Sequence, residues 1–172
     1  SGMVYKDNDI DFIDFNFQIT LPHKFSQFGP ALAVADLNGD QREDLMISGS
    51  RKGHETIFFQ QENGQFTKEQ ISLKQSPEMY EEDAGIALFD ADNDGDKDVY
   101  IVHGSGQYPK EDPLYDDVLW LNDGKGQFTM AENALPTKGI NGSCVKFNDF
   151  DQDGDLDLFV GSRVMPSQYP LA

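Results

Sequence analysis

The sequence holds a single cysteine, Cys144, among 172 residues. A lone thiol makes no internal disulfide, so the fold must be held by other means. Basic residues are also scarce: 13 Lys and Arg stand against 31 Asp and Glu, for a formal net charge of −18. That balance excludes a nucleic-acid binder, whose phosphate contacts need a basic face, and it disfavours docking on anionic lipid. No apolar run approaches the ~20 residues of a membrane-spanning helix, and capped segments of helical period are missing. Aromatic side chains, in contrast, are plentiful, with 13 Phe. They supply a core and exclude an acidic disordered tail. Length alone predicts one domain or one piece of a larger one.

The acids concentrate in three nine-residue stretches: DLNGDQRED (36–44), DADNDGDKD (90–98) and DFDQDGDLD (149–157). These hold 14 of the 31 acids, so nearly half the negative charge is local. The second and third stretches carry Asp at positions 1, 3, 5, 7 and 9 and Gly at 6. The first keeps Asp at 1, 5 and 9, with Asn38 at 3.

The flanks repeat as well. ALAVA (31–35), GIALF (85–89) and GSCVKFN (142–148) precede the clusters; LMISG (45–49), VYIVHG (99–104) and LFVGS (158–162) follow them. A third apolar run then closes on a glycine turn, as IFFQQENGQF (57–66) and VLWLNDGKGQF (118–128). Asn63-Gly64 and Asn122-Asp123-Gly124 are hairpin signals. The repeated unit reads as strand, acidic loop, strand, loop, strand, tight turn, strand, at blade-sized spacing. The fold class expected is all-β: tandem four-stranded antiparallel blades of a β-propeller fragment, two complete and a third in part. The expected boundaries are 28–82 for the first blade, 83–140 for the second and 141–172 for the partial third. Residues 13–21, IDFNFQITL, alternate apolar and polar, which predicts a half-buried strand. Segment 1–27 is accordingly read as an N-terminal strand from a neighbouring or closing blade, with Ser1-Gly2 as a tag remnant.

A hard divalent cation takes six to eight oxygens at about 2.3–2.6 Å, and alternate carboxylates in a tight loop can converge on one point. The expected side-chain ligands are Asp90, Asp92, Asp94 and Asp98 in the second loop and Asp149, Asp151, Asp153 and Asp157 in the third. The backbone carbonyls of Asp96 and Asp155 join them. In the first loop the same places are Asp36, Asn38, Asp40 and Asp44, with the Arg42 carbonyl. That loop is the weakest, because Gln41 replaces the position-6 glycine and would cost roughly 1–2 kcal/mol in a left-handed conformation. Five aspartates in nine residues repel one another by about 1 kcal/mol per pair at 4 Å even in water, so a cation is expected. With no His or Cys in any cluster, oxygen-only chemistry points to Ca²⁺, up to three ions, over softer metals. An EF-hand is excluded, since position 12 is Ile47, Ile101 or Val160 inside a strand pattern rather than Glu.

Loops of the form D-x-[DN]-x-D-G-x-x-D between two strands of a repeated blade resemble those of the FG-GAP and VCBS repeats. Phe28-Gly29-Pro30-Ala31 is similar to the Phe-Gly opening of that repeat; Ala84-Gly85 and Gly142-Ser143 replace it later. LNDGKGQF resembles the VCBS ending. The likeness covers about 28–172 and implies blades of an integrin-α-like, calcium-binding β-propeller. It also implies an extracellular, cell-surface or periplasmic protein in which Ca²⁺ stiffens the blade and the surface binds a protein or glycan. Enzymes with such propellers exist among lyases and phospholipases, but acid–base candidates here are thin. His23, His54 and His103 fall in unrelated places, His103 as a strand-end histidine without an evident partner. Cys144 reads as a small buried residue, and Trp120 and Tyr115 as blade packing. A non-catalytic binding or scaffolding module is therefore expected, one able to self-associate through open blade edges.

Overall fold

The computed structural model describes residues 2–7, 9–27, 29–74, 78, 80–136 and 139–169. Ten antiparallel strands follow the repeat. β1 (Leu32–Ala35), β2 (Asp44–Ile47), β3 (Glu55–Gln60) and β4 (Phe66–Ile71) form one four-stranded sheet in sequence order. β5 (Asp83–Phe89), β6 (Asp98–His103), β7 (Val118–Asn122) and β8 (Phe128–Met130) form a second, and β9 (Gly142–Asn148) with β10 (Asp157–Ser162) a two-stranded third. Corresponding strands pair in one register: Val34 opposite Leu45, Leu88 opposite Val99, and Phe147 opposite Leu158. The architecture is that of two propeller blades and the inner half of a third.

Strand alternation sends successive side chains to opposite faces, and here both faces of the second blade are used. Leu88, Val99, Ile101 and Val118 meet Met46 and Ile57 of the first blade. Ala87, Phe89, Tyr100 and Val102 meet Val145 of the third, and Phe89 stacks on Phe147 with ring centroids 5.1 Å apart. Two glycines allow that second junction to close: a Cβ on Gly104 would lie 1.8 Å from the Gly142 carbonyl oxygen, and one on Gly142 2.2 Å from Val102 Cγ1.

Residues 13–21 do not form the strand that their alternation predicts. Asp14–Asn16 make a single 3-10 turn. The Asp14 carboxylate is buried and accepts the N–H groups of Phe25 and Ser26, while Phe17 and Ile19 face solvent. The pattern is inverted because a strand needs a sheet edge to pair with, and this segment instead folds around one buried acid. Phe28 of the Phe-Gly opening and Ser1 lie outside the described residues.

At the ends of the strands remote from the acidic loops, the first two blades share a buried ionic junction. Lys74 Nζ lies 2.9 Å from Asp83 Oδ1 and 3.8 Å from Glu55 Oε1, with all three side chains fully buried. His103 Nε2 sits 3.5 Å from Asp83 Oδ1, and its Nδ1 is 2.7 Å from the Asp116 carbonyl. The histidine expected to lack a partner is thus enclosed in a network. Glu82 accepts the Arg51 N–H at 2.8 Å. Burial, then the charge of Asp83, pushes Glu55 up to about 8. Burial, with help from Asp9 and Asp83 and against the Arg51 N–H and Lys74, does the same to Glu82.

Because these acids are raised from 4.5 to about 8 on folding, the folded chain holds protons that the unfolded chain releases in that window. Their contribution is therefore fully present below pH 4.5 and lost as pH climbs to about 8. Glu82→Gln can still accept the Arg51 N–H. It is expected to melt higher than the parent at pH 8–9 and no higher near pH 4.5, in thermal scans run in one fixed salt buffer. A constant offset across that range would refute the assignment.

Candidate metal centres

Each acidic loop is tied by the same hydrogen bonds. The position-1 carboxylate accepts backbone N–H groups from positions 5 and 6: Asp36 from Asp40 and Gln41, Asp90 from Asp94 and Gly95, Asp149 from Asp153 and Gly154. Position 3 accepts from 5, at 3.2 Å from Asn38, Asp92 and Asp151 alike. Position 5 accepts from 7, and position 9 accepts from position 2. These Asx-type turns aim the side chains inward because their own backbone holds them there.

The loop needs two left-handed residues, not one. Position 6 has φ of 66° at Gln41, 98° at Gly95 and 100° at Gly154; position 4 has 74° at Gly39, 62° at Asn93 and 64° at Gln152. Each loop places one glycine, and the first puts it at 4 instead of 6. Gln41 does take the left-handed conformation, and Gly39 relieves the position that Asn93 and Gln152 must strain to fill.

In the second loop one oxygen each of Asp90, Asp92 and Asp98, and in the third of Asp149, Asp151 and Asp153, lie within 4.8 Å of one another. Two oxygens on opposite sides of an ion at 2.3–2.6 Å are separated by about that distance, so either trio can share one. Asp94 and Asp157 lie in the same loops outside these trios. Burial, then the charges of Asp94 and Asp98, pushes Asp96 up to about 6, and burial raises Asp98 against the two N–H groups it accepts. A cation between these groups would relieve that crowding. All-oxygen donors at this spacing fit Ca²⁺.

The first loop is built otherwise. Its position-7 residue is Arg42, whose Nη2 lies 2.5 Å from Asp40 Oδ2 and whose Nε donates to the Gln60 carbonyl at 3.0 Å. A guanidinium thus supplies positive charge where the other loops have Asp96 and Asp155. Among the described residues, no third group of three converging acids forms in it.

The ninth residue also anchors the blade. Asp44 Oδ1 accepts the Gln60 N–H, and Asp98 Oδ1 the Asn122 N–H, both at 2.9 Å. Both aspartates are buried, whereas Asp157, with no third strand beside it among the described residues, is exposed. Asn122 was not singled out by sequence, beyond its place in a turn signal. Its amide nitrogen bridges the carbonyls of Leu37 and Lys97 at 2.9 and 3.0 Å, joining the second blade to the first loop.

The remaining candidates do not assemble. His23 and His54 are exposed, and Cys144 is exposed rather than buried, because among the described residues no blade packs on the outer face of β9 and β10. Tyr115 is enclosed, its hydroxyl donating to the Tyr108 carbonyl at 3.0 Å. Trp120 packs against the core between blades. The ionic junction of Lys74, Glu55 and Asp83 was missed; its one sequence signal is the Glu81-Glu82-Asp83 run at the head of an apolar strand.

A search of curated proteins found no match. The FG-GAP-like repeat profile, by contrast, matches residues 36–101 and 104–160. The two matches end at equivalent residues, Ile101 in β6 and Val160 in β10, each in the strand that follows an acidic loop. Since the two matches cover more than half of the sequence, the chain belongs to the FG-GAP-like repeat family.

Proposed function

We propose that the chain is a calcium-stiffened β-propeller segment of an extracellular, cell-surface or periplasmic protein, serving as a non-catalytic module that binds protein or glycan. The observation that carries the metal is that the second and third loops each bring three carboxylates together, sharing positions 1 and 3 and adding position 9 in the second and position 5 in the third. Two ions are proposed rather than three, since Arg42 already provides a cation in the first loop. The ion's role is structural: position-9 Asp98 links its loop to β7 through the Asn122 N–H, so a cation held there clamps the blade. Support for a non-catalytic reading comes from the separation of the histidines and the enclosure of His103. Compartments outside the cytosol suit sites of this kind because extracellular calcium modules work at about 10⁻⁴–10⁻³ M.

Isothermal titration and thermal melting of the full chain test the metal. Two Ca²⁺ per chain are expected, with a melting temperature that rises by several degrees at millimolar Ca²⁺ and falls back with EDTA. Equimolar Mg²⁺ should do far less, because it dehydrates reluctantly and demands octahedral geometry. No heat of binding and an unchanged melt in EDTA would overturn the assignment.

A further inference from the structure

The ionic junction between the first two blades places an amine, a carboxyl and a second acid in reacting order. Lys74 Nζ is 2.9 Å from Asp83 Oδ1, an oxygen bonded to the carboxyl carbon, and 3.8 Å from Glu55 Oε1. All three side chains are fully buried. Thr56 and Leu73, next to them in the chain, are buried as well, and so is His103. The other carboxylate oxygen, Asp83 Oδ2, accepts the Gly49 N–H at 2.8 Å. Glu55 is fixed through Oε2 by the Leu73 N–H at 2.8 Å. Its Oε1 faces the amine and has no hydrogen-bond partner among the described residues. His103 Nε2 likewise has none, and it lies 3.5 Å from Asp83 Oδ1.

We infer that Lys74 and Asp83 close an internal amide cross-link, Nζ to Cγ, with Glu55 as its proton relay. A proton first passes from the ammonium to Asp83 Oδ1 across their contact, leaving a neutral amine and a neutral acid. The amine lone pair then attacks Cγ, while the Gly49 N–H steadies the charge that gathers on Oδ2. Glu55 takes one proton from the nitrogen and gives one to the departing Oδ1 hydroxyl. That C–O bond breaks and one water leaves, so nothing is oxidised or reduced and Glu55 ends as it began. Glu55 keeps its proton up to about 8 in the folded chain, so it has one to give at neutral pH. In water an ammonium and a carboxylate do not condense, because each is well solvated. Buried, both have lost that solvation, they are held in contact instead of meeting by diffusion, and the amide removes both charges. Lys74 rests as an ammonium, which makes closure slow. The freshly folded chain therefore carries the ion pair and the aged chain the amide. The product ties the loop after β4 to the first residue of β5, a covalent link between blades in a chain with one cysteine.

Intact-mass spectra of the full chain, fresh and after days of warm incubation at neutral pH, read the reaction. The parent is expected to lose the mass of one water. Digestion with a glutamate-specific protease should then release a branched peptide that joins Lys74 to Asp83. Lys74→Arg should lose nothing, and Asp83→Asn should shed ammonia in place of water, because its amide nitrogen is then the leaving group. Glu55→Gln should slow closure by roughly a hundredfold, in a chain shown by its melt to be folded. The parent spectrum decides the matter even where a variant fails to fold. A parent mass that never changes overturns the inference. So does a loss of water traced to a succinimide at Asp94-Gly95, Asp123-Gly124 or Asp153-Gly154, as does a folded Glu55→Gln chain that closes at the parental rate.

Discussion

Asp98→Ala is expected to destabilise the chain by about 3–5 kcal/mol, several times the loss from Asp157→Ala. Both residues close their loops at position 9, and both accept an N–H from position 2, at 2.7 Å for Ala91 and 2.9 Å for Phe150. Only Asp98 also accepts an N–H from a third strand, Asn122 at 2.9 Å, and only Asp98 is buried. A hydrogen bond to an ionised group contributes about 1.5–3 kcal/mol, and its loss leaves a buried donor unsatisfied. Two such donors lose their acceptor at position 98. At position 157 one does, in contact with water, and about 1 kcal/mol or less is expected. Urea unfolding in EDTA isolates this protein term, because both residues lie in candidate ion sites and calcium would add its own share. Equal losses at the two positions would show that the cross-link to the third strand carries no stability. Repeating the series at millimolar Ca²⁺ then gives the ion's contribution by difference.

The same pair of residues shows what could be read from sequence. The strands were legible because each apolar run is bounded by aspartates or a glycine turn, and those signals are local. The convergence of carboxylates was legible too, since alternate spacing in a nine-residue loop leaves few other directions for the side chains. What the spacing could not show is that position 4 must also be left-handed. Asn93 and Gln152 look like ordinary turn residues, and Gly39 looked like a displaced glycine rather than one at the second left-handed place. Nor could composition show that Arg42 turns back onto Asp40. Residues 13–21 were misread for a different reason. Alternation records which side chains can share a face, but a strand also needs an edge, and the buried Asp14 carboxylate took the backbone of 25–26 instead. The burial of Cys144 was misjudged because it depends on a blade face that no described residues cover.

The ionic junction was illegible for the plainest reason, which is sequence distance. Glu55, Lys74 and Asp83 come from β3, the loop after β4 and β5, and each alone looks like a surface charge. Together they predict a large effect for one buried cation, Lys74. Lys74→Met removes the ammonium that contacts Asp83 Oδ1 and the Glu81 carbonyl, both at 2.9 Å. Burial alone would lower the lysine pKa, yet Asp83 and Glu55 overcome it and hold Lys74 above its ordinary value, so the amine stays charged. Stripping the cation from a buried pair typically costs about 3–5 kcal/mol, because the partner charge is left uncompensated. The loss should grow with pH. Glu55 and Glu82 keep their protons in the folded chain up to about 8, so the orphaned network carries less negative charge at pH 5 than at pH 9. Adding Asp83→Asn to Lys74→Met should return part of the lost stability by removing the orphaned carboxylate, and a double-mutant cycle measures how much. A loss below 1 kcal/mol would mean that this junction adds little to the joint between the blades, and a loss identical at pH 5 and pH 9 would mean that Glu55 and Glu82 do not set its charge.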